Sequence, residues 1–198
     1  MSKKMLIESL RKKGFSEKIL KAFNEVKREN FIEGPMKRFA YRDRPLPIGE
    51  NATISQPFTI AFMLDLLDLE DNMKILEIGS GCGYVLALIN NITEKSKIYG
   101  VEISSDLAEK SENYLSDTSV RIFNKDGYDG LKEKEPFDRI LVSAAYEEEP
   151  LHLLDQLKSE GILVVPVNNS IIKYTKNRDK VMKERHFGFA FVTMQRNY

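Results

Sequence analysis

Three glycines, each separated by one residue, form the most informative motif of the sequence. They lie at residues 79–83 in the order Gly-Ser-Gly-Cys-Gly, between the mostly apolar run 75–78 and the apolar run 85–89. A glycine turn between a buried strand and a helix brings the backbone close to a ligand, because glycine has no side chain. The motif therefore predicts a nucleotide-type cofactor site at the carboxyl end of the first strand of a parallel sheet.

Two other nucleotide motifs fit this turn less well. In a dinucleotide fold the third glycine would stand at position 84, which is Tyr84, whereas here it stands one residue earlier, at Gly83. A P-loop is excluded because no Gly-Lys-Ser/Thr follows the turn. The glycine motif alone is a weak signal, so the residues that follow the next strands must support the cofactor site.

Acidic residues follow the next two predicted strands. Glu102 ends the strand 97–102, where a doubly wound fold carries the carboxylate that accepts hydrogen bonds from ribose hydroxyls. Asp126 and Gly127 follow the strand 120–123, where an acid can contact an adenine edge. Because three strand ends converge on one crevice, the pattern predicts an adenosine site without a pyrophosphate-binding signature.

The elements that hold these residues follow from hydrophobic patterning. Strands and helices alternate through the middle of the chain, and further strands are predicted at 137–143 and 162–165, with a helix after Pro150 between them. Such repeated units form a parallel sheet with right-handed crossovers. We therefore predict an α/β fold with a Rossmann-like, mostly parallel sheet.

The two flanks of this core differ from it. Helical segments come first, followed by a proline- and glycine-rich stretch, 39–51, in which we expect no regular structure, and by a helix that begins at Pro57. At the other end, β-rich segments at 170–175 and 187–194, separated by the charged turn 176–180, predict an antiparallel hairpin on the sheet edge.

We expect a single domain, 1–198, in three parts. These are a helical and loop part at 1–70 that carries the substrate-side loop, a cofactor-binding core at 71–167, and a C-terminal β-hairpin at 168–198.

Composition limits the class of protein and its partners. The 198 residues are 42% hydrophobic and 30% charged, which is ordinary for a soluble globular protein. Lys+Arg and Asp+Glu balance at 30 each, which removes the global electrostatic argument for nucleic acid. No apolar run is long enough to cross a bilayer, and the single Cys82 cannot form an internal disulfide. We expect a cytoplasmic monomer without metal, membrane or nucleic-acid partners.

The chain resembles the protein-L-isoaspartate (D-aspartate) O-methyltransferases, a branch of the S-adenosylmethionine-dependent methyltransferases with a Rossmann-like fold. The glycine motif marks only the superfamily, and the Ser-Gln-Pro loop at 55–57 points to this branch. The matching stretches occur in the family's order over roughly residues 35 to 167: Ala52-Thr-Ile-Ser-Gln-Pro57, Leu76-Glu-Ile-Gly-Ser-Gly-Cys-Gly-Tyr84, Asp126-Gly-Tyr-Asp-Gly130, Phe137-Asp-Arg-Ile-Leu-Val-Ser-Ala-Ala145 and Gln156-Leu-Lys-Ser-Glu-Gly161.

The resemblance implies a protein-repair enzyme. Its cofactor would be S-adenosylmethionine, with S-adenosylhomocysteine as product, and its substrates would be polypeptides that contain isoaspartyl residues. Ser55 would lie at the methyl-transfer position, beside the free carboxylate of the isoaspartyl residue. The residues implied to contact or close over the cofactor are Thr53, Ile54, Gly79, Ser80, Gly81, Cys82, Gly83, Glu102, Asp126 and Gly127.

This chemistry fits the residues that the sequence offers. A carboxylate acceptor, with a reference pKa near 4, is ionised at neutral pH, so no general base is required. The sulfonium carries its own leaving group, so no metal is required either. Ser55 is best interpreted as a hydrogen-bond donor to the acceptor and not as a nucleophile, because neither His152 nor His186 lies in a triad-like motif.

Other functions stay open at this point. A methyltransferase of the same fold could act on another acceptor, and a non-catalytic protein could bind S-adenosylmethionine as a sensor. A nicotinamide-dependent oxidoreductase is disfavoured by Tyr84 at the third-glycine position. Ala52 and Thr193 depart from the family's pattern, both on the side where the acceptor would bind.

Overall fold

Nine strands and five α-helices make up the described chain. The computed structural model describes residues 1–178 and 180–196. The strands are β1 (Leu46–Gly49), β2 (Ala52–Ile54), β3 (Lys74–Ile78), β4 (Lys97–Glu102), β5 (Arg121–Asn124), β6 (Phe137–Val142), β7 (Leu157–Val167), β8 (Ser170–Asn177) and β9 (Lys180–Phe187). The α-helices are α1 (Lys3–Lys12), α2 (Glu17–Glu25), α3 (Pro57–Leu67), α4 (Tyr84–Ile92) and α5 (Ser105–Tyr114).

Seven strands form the central sheet, in the order β5-β4-β3-β6-β7-β8-β9. The strands from β3 to β7 are parallel to their neighbours, and β8 and β9 continue the sheet in antiparallel orientation. This confirms the predicted α/β class, the mostly parallel sheet, the antiparallel C-terminal hairpin and the N-terminal helices. Because β3 lies in the middle of the parallel strands, its carboxyl end faces the ends of β4 and β6.

The sheet separates two hydrophobic cores. Ile75 and Leu141 belong to the core that includes residues of α1 to α4, and Leu76 and Ile140 belong to the core on the other face. This alternation is what strands buried on both faces produce. The glycine turn after β3 is therefore held between two packed layers.

Two predictions of regular structure were wrong. The stretch 39–51 contains β1, which pairs with β2 in an antiparallel ribbon through Leu46–Ile54 and Pro47–Thr53. Proline has no N–H to donate, and it is compatible with such a ribbon because both strands of a two-stranded ribbon are edge strands. The predicted α-helix after Pro150 is a 3₁₀ helix, Leu151–Gln156, which leads directly into β7.

The hairpin is confirmed, but its second strand was assigned to the wrong residues. β9 is formed by Lys180–Phe187 and not by 187–194. Almost all of its side chains are exposed, so it lacks the apolar alternation by which strands are recognised in a sequence. Asp179, part of the predicted turn, lies outside the described residues.

Gly83 has a packing role that can be measured. Its φ is +81°, and a Cβ there would lie 2.3 Å from Oγ of Ser111 in α5. We expect Gly83→Ala to destabilise the protein by more than about 1 kcal/mol, because it adds steric overlap to backbone strain. Gly14→Ala is the matched control, because Gly14 has a φ of +90° and a Cβ there would meet no described atom within 4 Å beyond its chain neighbours. Equal losses of thermal stability in the two variants would contradict the packing role.

Candidate active site

The glycine turn is fixed to the end of the neighbouring strand β4. The N–H groups of Gly79 and Ser80 donate to the carbonyl oxygen of Val101, at 2.8 and 3.1 Å. Gly79 and Gly81 have positive φ angles, of +74° and +53°, which a residue with a side chain adopts only with strain. The turn can therefore follow the strand ends closely and leave its backbone beside the crevice.

Glu102 connects the turn to helix α5. Its Oε2 accepts a hydrogen bond from the Gly81 N–H at 2.6 Å, and its Oε1 accepts one from the Ser104 N–H at 3.0 Å. Ser104 in turn caps α5 by accepting a hydrogen bond from the N–H of Leu107. Each carboxylate oxygen has a second acceptor site, so Glu102 can still accept hydrogen bonds from a ligand.

Asp126 and Gly127 form a turn after the end of β5. Oδ1 of Asp126 accepts a hydrogen bond from the N–H of Tyr128 at 2.8 Å, which forms an Asx turn. A Cβ on Gly127 would lie 2.8 Å from Cγ2 of Ile78, so this glycine lets the turn pack against β3. Gly127 lines the crevice, whereas Asp126 is not among the described lining residues.

A cavity of about 300 Å³ runs along these strand ends. Five of the predicted site residues line it: Thr53, Gly79, Gly81, Glu102 and Gly127. It is also lined by residues that were not predicted to contact the cofactor: Glu50, Asn51, Ser143, Ala144 and the segment 192–195, in which Thr193 was expected on the acceptor side. Ser143 and Ala144 could have been found, because they follow β6 at the same edge of the sheet. The other three are in irregular segments, for which no periodicity gives a signal.

A second cavity, of about 40 Å³, lies at the predicted acceptor position. Four of the predicted site residues line only this cavity: Ile54, Ser55, Ser80 and Cys82. Glu77 is among the other residues that line it. The residues common to both cavities are Thr53, Gly79, Gly81 and Ser143. The two cavities are therefore parts of one site. Gly83 is not among the described residues that line either part.

Buried Arg28 holds the backbone at Ser55. Its Nη2 donates to the Ser55 carbonyl oxygen and its Nε donates to the Ala40 carbonyl oxygen, both at 2.9 Å. Just beyond Ser55, the N–H of Phe58 in the first turn of α3 donates to Oδ1 of Asp43 at 2.8 Å. These hydrogen bonds fix the corner between β2 and α3, and the sequence analysis identified neither Arg28 nor Asp43 as part of the site.

Glu77 is a buried acid at the floor of the smaller cavity. Burial raises the pKa of Glu77 to about 8; the hydrogen bond that its Oε1 accepts from Ser143 Oγ, at 2.6 Å, opposes the rise, and the charge of Glu102 adds to it. Oε2 of Glu77 and Oγ of Ser80 are buried without a hydrogen-bond partner among the described residues. Such unpartnered buried oxygens indicate that a polar ligand completes the site.

The thiol in the glycine turn is buried and free. Burial raises the pKa of Cys82 to about 11, so the thiol stays protonated near neutral pH.

Among residues 1–178 and 180–196, no group of three or more potential metal ligands occurs. In the same part of the chain, no helix combines the length and the apolar character needed to cross a membrane.

Comparison with known proteins agrees with this geometry. A sequence model of the family described as protein-L-isoaspartate(D-aspartate) O-methyltransferase matches residues 1–198. The chain belongs to this family. It is therefore an S-adenosylmethionine-dependent protein carboxyl methyltransferase, as the motifs indicated.

Relatives of this methyltransferase match over almost their entire length. The protein-L-isoaspartate O-methyltransferase of Methanothrix thermoacetophila is 40% identical, with 100% of this chain and 97% of the relative covered. The enzyme of the same name from Gloeobacter violaceus is 38% identical, with 97% of each chain covered.

Solved structures share the fold of the methyltransferase. One protein-L-isoaspartate O-methyltransferase aligns with a TM-score of 0.88 at 30% identity, over 99% of this chain and 67% of the other. A Plasmodium falciparum protein of the same description, solved in complex with S-adenosyl-L-homocysteine, aligns with a TM-score of 0.85 at 25% identity, with both chains fully covered.

Glu77 gives the methyltransferase a specific dependence of stability on pH. Its pKa of about 8 lies above the ordinary value of about 4.3 in an unfolded chain, so the folded state holds a proton that the unfolded state has released. This contribution to stability is complete below the unfolded pKa and is lost as the pH rises through about 8. We expect thermal unfolding without cofactor to show a larger loss of stability from pH 6 to pH 9 in the wild type than in Glu77→Gln.

The control for this prediction is Glu94→Gln, which changes an exposed glutamate. It should show the same loss of stability with pH as the wild type. Parallel pH curves for the wild type and Glu77→Gln would contradict a protonated, buried Glu77.

Proposed function

We propose that this methyltransferase repairs damaged proteins by methylating the free carboxylate of isoaspartyl residues, in the two joined cavities. The observation that carries the proposal is that both cavities share Thr53, Gly79, Gly81 and Ser143. One cavity follows the strand ends, where an adenosine group fits, and the other contains Ser55. A methyl donor in the first and an acceptor in the second would meet at the shared residues.

The cofactor would lie along the larger cavity. In this arrangement, Glu102 would accept hydrogen bonds from the ribose hydroxyls, and Gly127 would lie beside the adenine. The backbone from Gly79 to Cys82 would contact the methionine part, and Thr53 and Ile54 would close over it. We propose indirect roles for the two remaining predicted residues. Gly83 would hold α4 against α5, and Asp126 would hold the turn that presents Gly127.

The charges around the two cavities support a cationic cofactor. Glu102 lines the larger cavity, and Glu77, which burial keeps protonated without a ligand, would ionise more readily beside a positive one. No Lys, Arg or His occurs among the described residues that line either cavity. S-adenosylmethionine carries positive charge on its sulfonium and its ammonium, which acidic surroundings favour. The charge pattern thus supports methyl transfer from a sulfonium, while the displaced third glycine is what disfavours the nicotinamide-dependent alternative.

The acceptor chemistry requires alignment more than proton transfer. The isoaspartyl carboxylate is already ionised at neutral pH, so no residue has to remove a proton. S-adenosylmethionine supplies an electrophilic methyl group with its own leaving group: the new O–C bond forms as the C–S bond breaks. Ser55 would donate a hydrogen bond that orients the carboxylate, on a backbone that Arg28 holds in place. Alignment of this kind contributes up to about 7–11 kcal/mol in favourable systems.

The proposed substrate can be tested with a matched pair of peptides. Incubation with radiolabelled S-adenosylmethionine should give a base-labile methyl ester on a peptide that contains isoaspartate. The same peptide with normal aspartate should stay unlabelled, because its side-chain carboxylate lies at a different position along the backbone. Equal labelling of both peptides, or labelling of neither, would contradict the proposal.

The two halves of the site should respond differently to substitution. We expect Ser55→Ala to lower kcat about tenfold or more and to change the Kd of S-adenosylhomocysteine by less than about threefold, because Ser55 acts on the acceptor. We expect Glu102→Gln to raise that Kd about tenfold, since it loses one charged acceptor. Steady-state kinetics and calorimetry measure the two effects.

Ser119→Ala is the control for the serine substitution, because Ser119 lies near the amino ends of the strands, where its Oγ donates to the Ser96 carbonyl oxygen. It should leave both quantities at their wild-type values. A weaker cofactor affinity with unchanged kcat in Ser55→Ala would refute the role assigned to Ser55.

A further inference from the structure

Three arginines surround one aromatic ring close to the corner between β2 and α3 that carries Ser55. We call this corner the acceptor corner. The guanidinium carbons of Arg38, Arg42 and Arg44 lie 4.7, 4.4 and 5.2 Å from the ring centroid of Phe39. All three side chains are exposed. Because a ring has two faces, at least two of the three positive groups lie on the same face. We call these three residues with Phe39 the arginine cluster.

The cluster carries positive charge that this part of the chain does not neutralise. The ion pairs between described residues include none of the three arginines. Asp43 is the one acid between residues 37 and 44, and its Oδ1 accepts a hydrogen bond from the Phe58 N–H instead. Because all three guanidinium groups lie within 5.2 Å of one ring centroid, their positive charges repel one another. An anion beside the cluster would therefore be stabilised.

Three contacts attach the segment that carries the cluster to the corner between β2 and α3, where Ser55 lies. Arg28 bridges the carbonyl oxygens of Ala40 and Ser55, and Asp43 accepts the hydrogen bond from α3. In the ribbon, Leu46 pairs with Ile54, so the chain just before Leu46, which contains Arg44, runs beside the residues just after Ile54. The arginine cluster therefore flanks the corner that carries Ser55.

We propose that the arginine cluster recognises acidic side chains of the substrate polypeptide and makes this methyltransferase favour isoaspartyl sites with acidic neighbours. The inference rests on the proposed function, since the substrate must lie at Ser55 to reach the cluster. The occupant is a carboxylate-bearing peptide segment, because planar guanidinium groups match carboxylates. The cofactor is excluded as the occupant, since no basic side chain lines the described walls of its cavities.

Two isoaspartyl peptides of equal length test the proposal, one with Glu and one with Gln at the positions flanking the isoaspartate. We expect the wild type at low salt to show a kcat/KM about three- to tenfold higher for the Glu peptide, which is the effect of one or two exposed ion pairs. The ratio should approach one at about 1 M salt, where the Debye length is about 3 Å. Equal kcat/KM values for the two peptides at low salt would overturn the proposal while the proposed function stands.

Substitution locates the preference on the cluster. The double variant Arg42→Gln/Arg44→Gln should reduce the ratio to about one, and Arg42→Lys/Arg44→Lys should keep most of it, because the charge remains. The matched control is Lys97→Gln/Arg121→Gln, which removes two positive charges at the amino ends of β4 and β5, the opposite edge of the sheet from Ser55. It should keep the wild-type ratio. If both double Gln variants lower the ratio equally, the effect is one of net charge and the proposal is overturned.

Three further outcomes can be told apart. If the Gln variant fails to bind S-adenosylhomocysteine or to unfold cooperatively, the wild-type ratio and its salt dependence still decide the proposal. An RNA oligonucleotide that binds the wild type through Arg42 and Arg44, with no peptide preference, would assign the cluster to nucleic acid and overturn it. Methyl transfer to neither peptide would overturn both this proposal and the proposed function.

Discussion

Glu102 joins the three segments that close the carboxyl edge of the sheet. Its carboxylate holds the glycine turn through the Gly81 N–H and the start of α5 through the Ser104 N–H. Its carbonyl oxygen accepts from the N–H of Lys125 and from Nδ2 of Asn124, both at 3.0 Å, and so holds the end of β5 as well. One residue thus fixes the relative position of all the segments that line the larger cavity on this side. A ligand that hydrogen-bonds to Glu102 is held by the same group that shapes its site.

A second acid in the same region, Glu77, has a buried oxygen without a hydrogen-bond partner in the described part of the chain. Glu77 is fully enclosed, next to Glu102, and its Oε2 has no partner among the described residues. A folded protein tolerates such a group by keeping it protonated, which is why its pKa rises to about 8. A positive ligand nearby would stabilise the ionised form instead. Uncompensated buried groups of this kind cluster at functional sites, where a ligand supplies the missing partner.

The elements that carry the predicted cofactor residues could be predicted from sequence because they obey simple periodicities. The strand β4 was predicted with its observed bounds, and the residues at the ends of parallel strands must meet at one edge of the sheet. Other elements had no such signal. The exposed strand β9 shows no alternation, and the ribbon β1–β2 contains Pro47, which argues against a strand unless the strand is at an edge. The sequence motifs predicted that Gly83 contacts the cofactor, whereas the structure shows that Gly83 packs closely against Ser111. The indirect role proposed for Gly83 stays a prediction.

The corner that carries Ser55 follows a different construction, which explains why no sequence motif indicated Arg28 or Asp43 there. Arg28 reaches the Ser55 carbonyl oxygen across 27 residues of sequence, and Asp43 reaches Phe58 across 15. Both partners belong to segments without periodic patterning, so their meeting depends on the whole fold and on no local rule. Because this corner is tethered by a few side-chain hydrogen bonds and not by the sheet ladder, exposed residues such as Arg42 and Arg44 can vary without disturbing the strands. With the roles proposed above, this construction would separate acceptor recognition from cofactor binding, so that specificity could change while the cofactor site keeps its geometry.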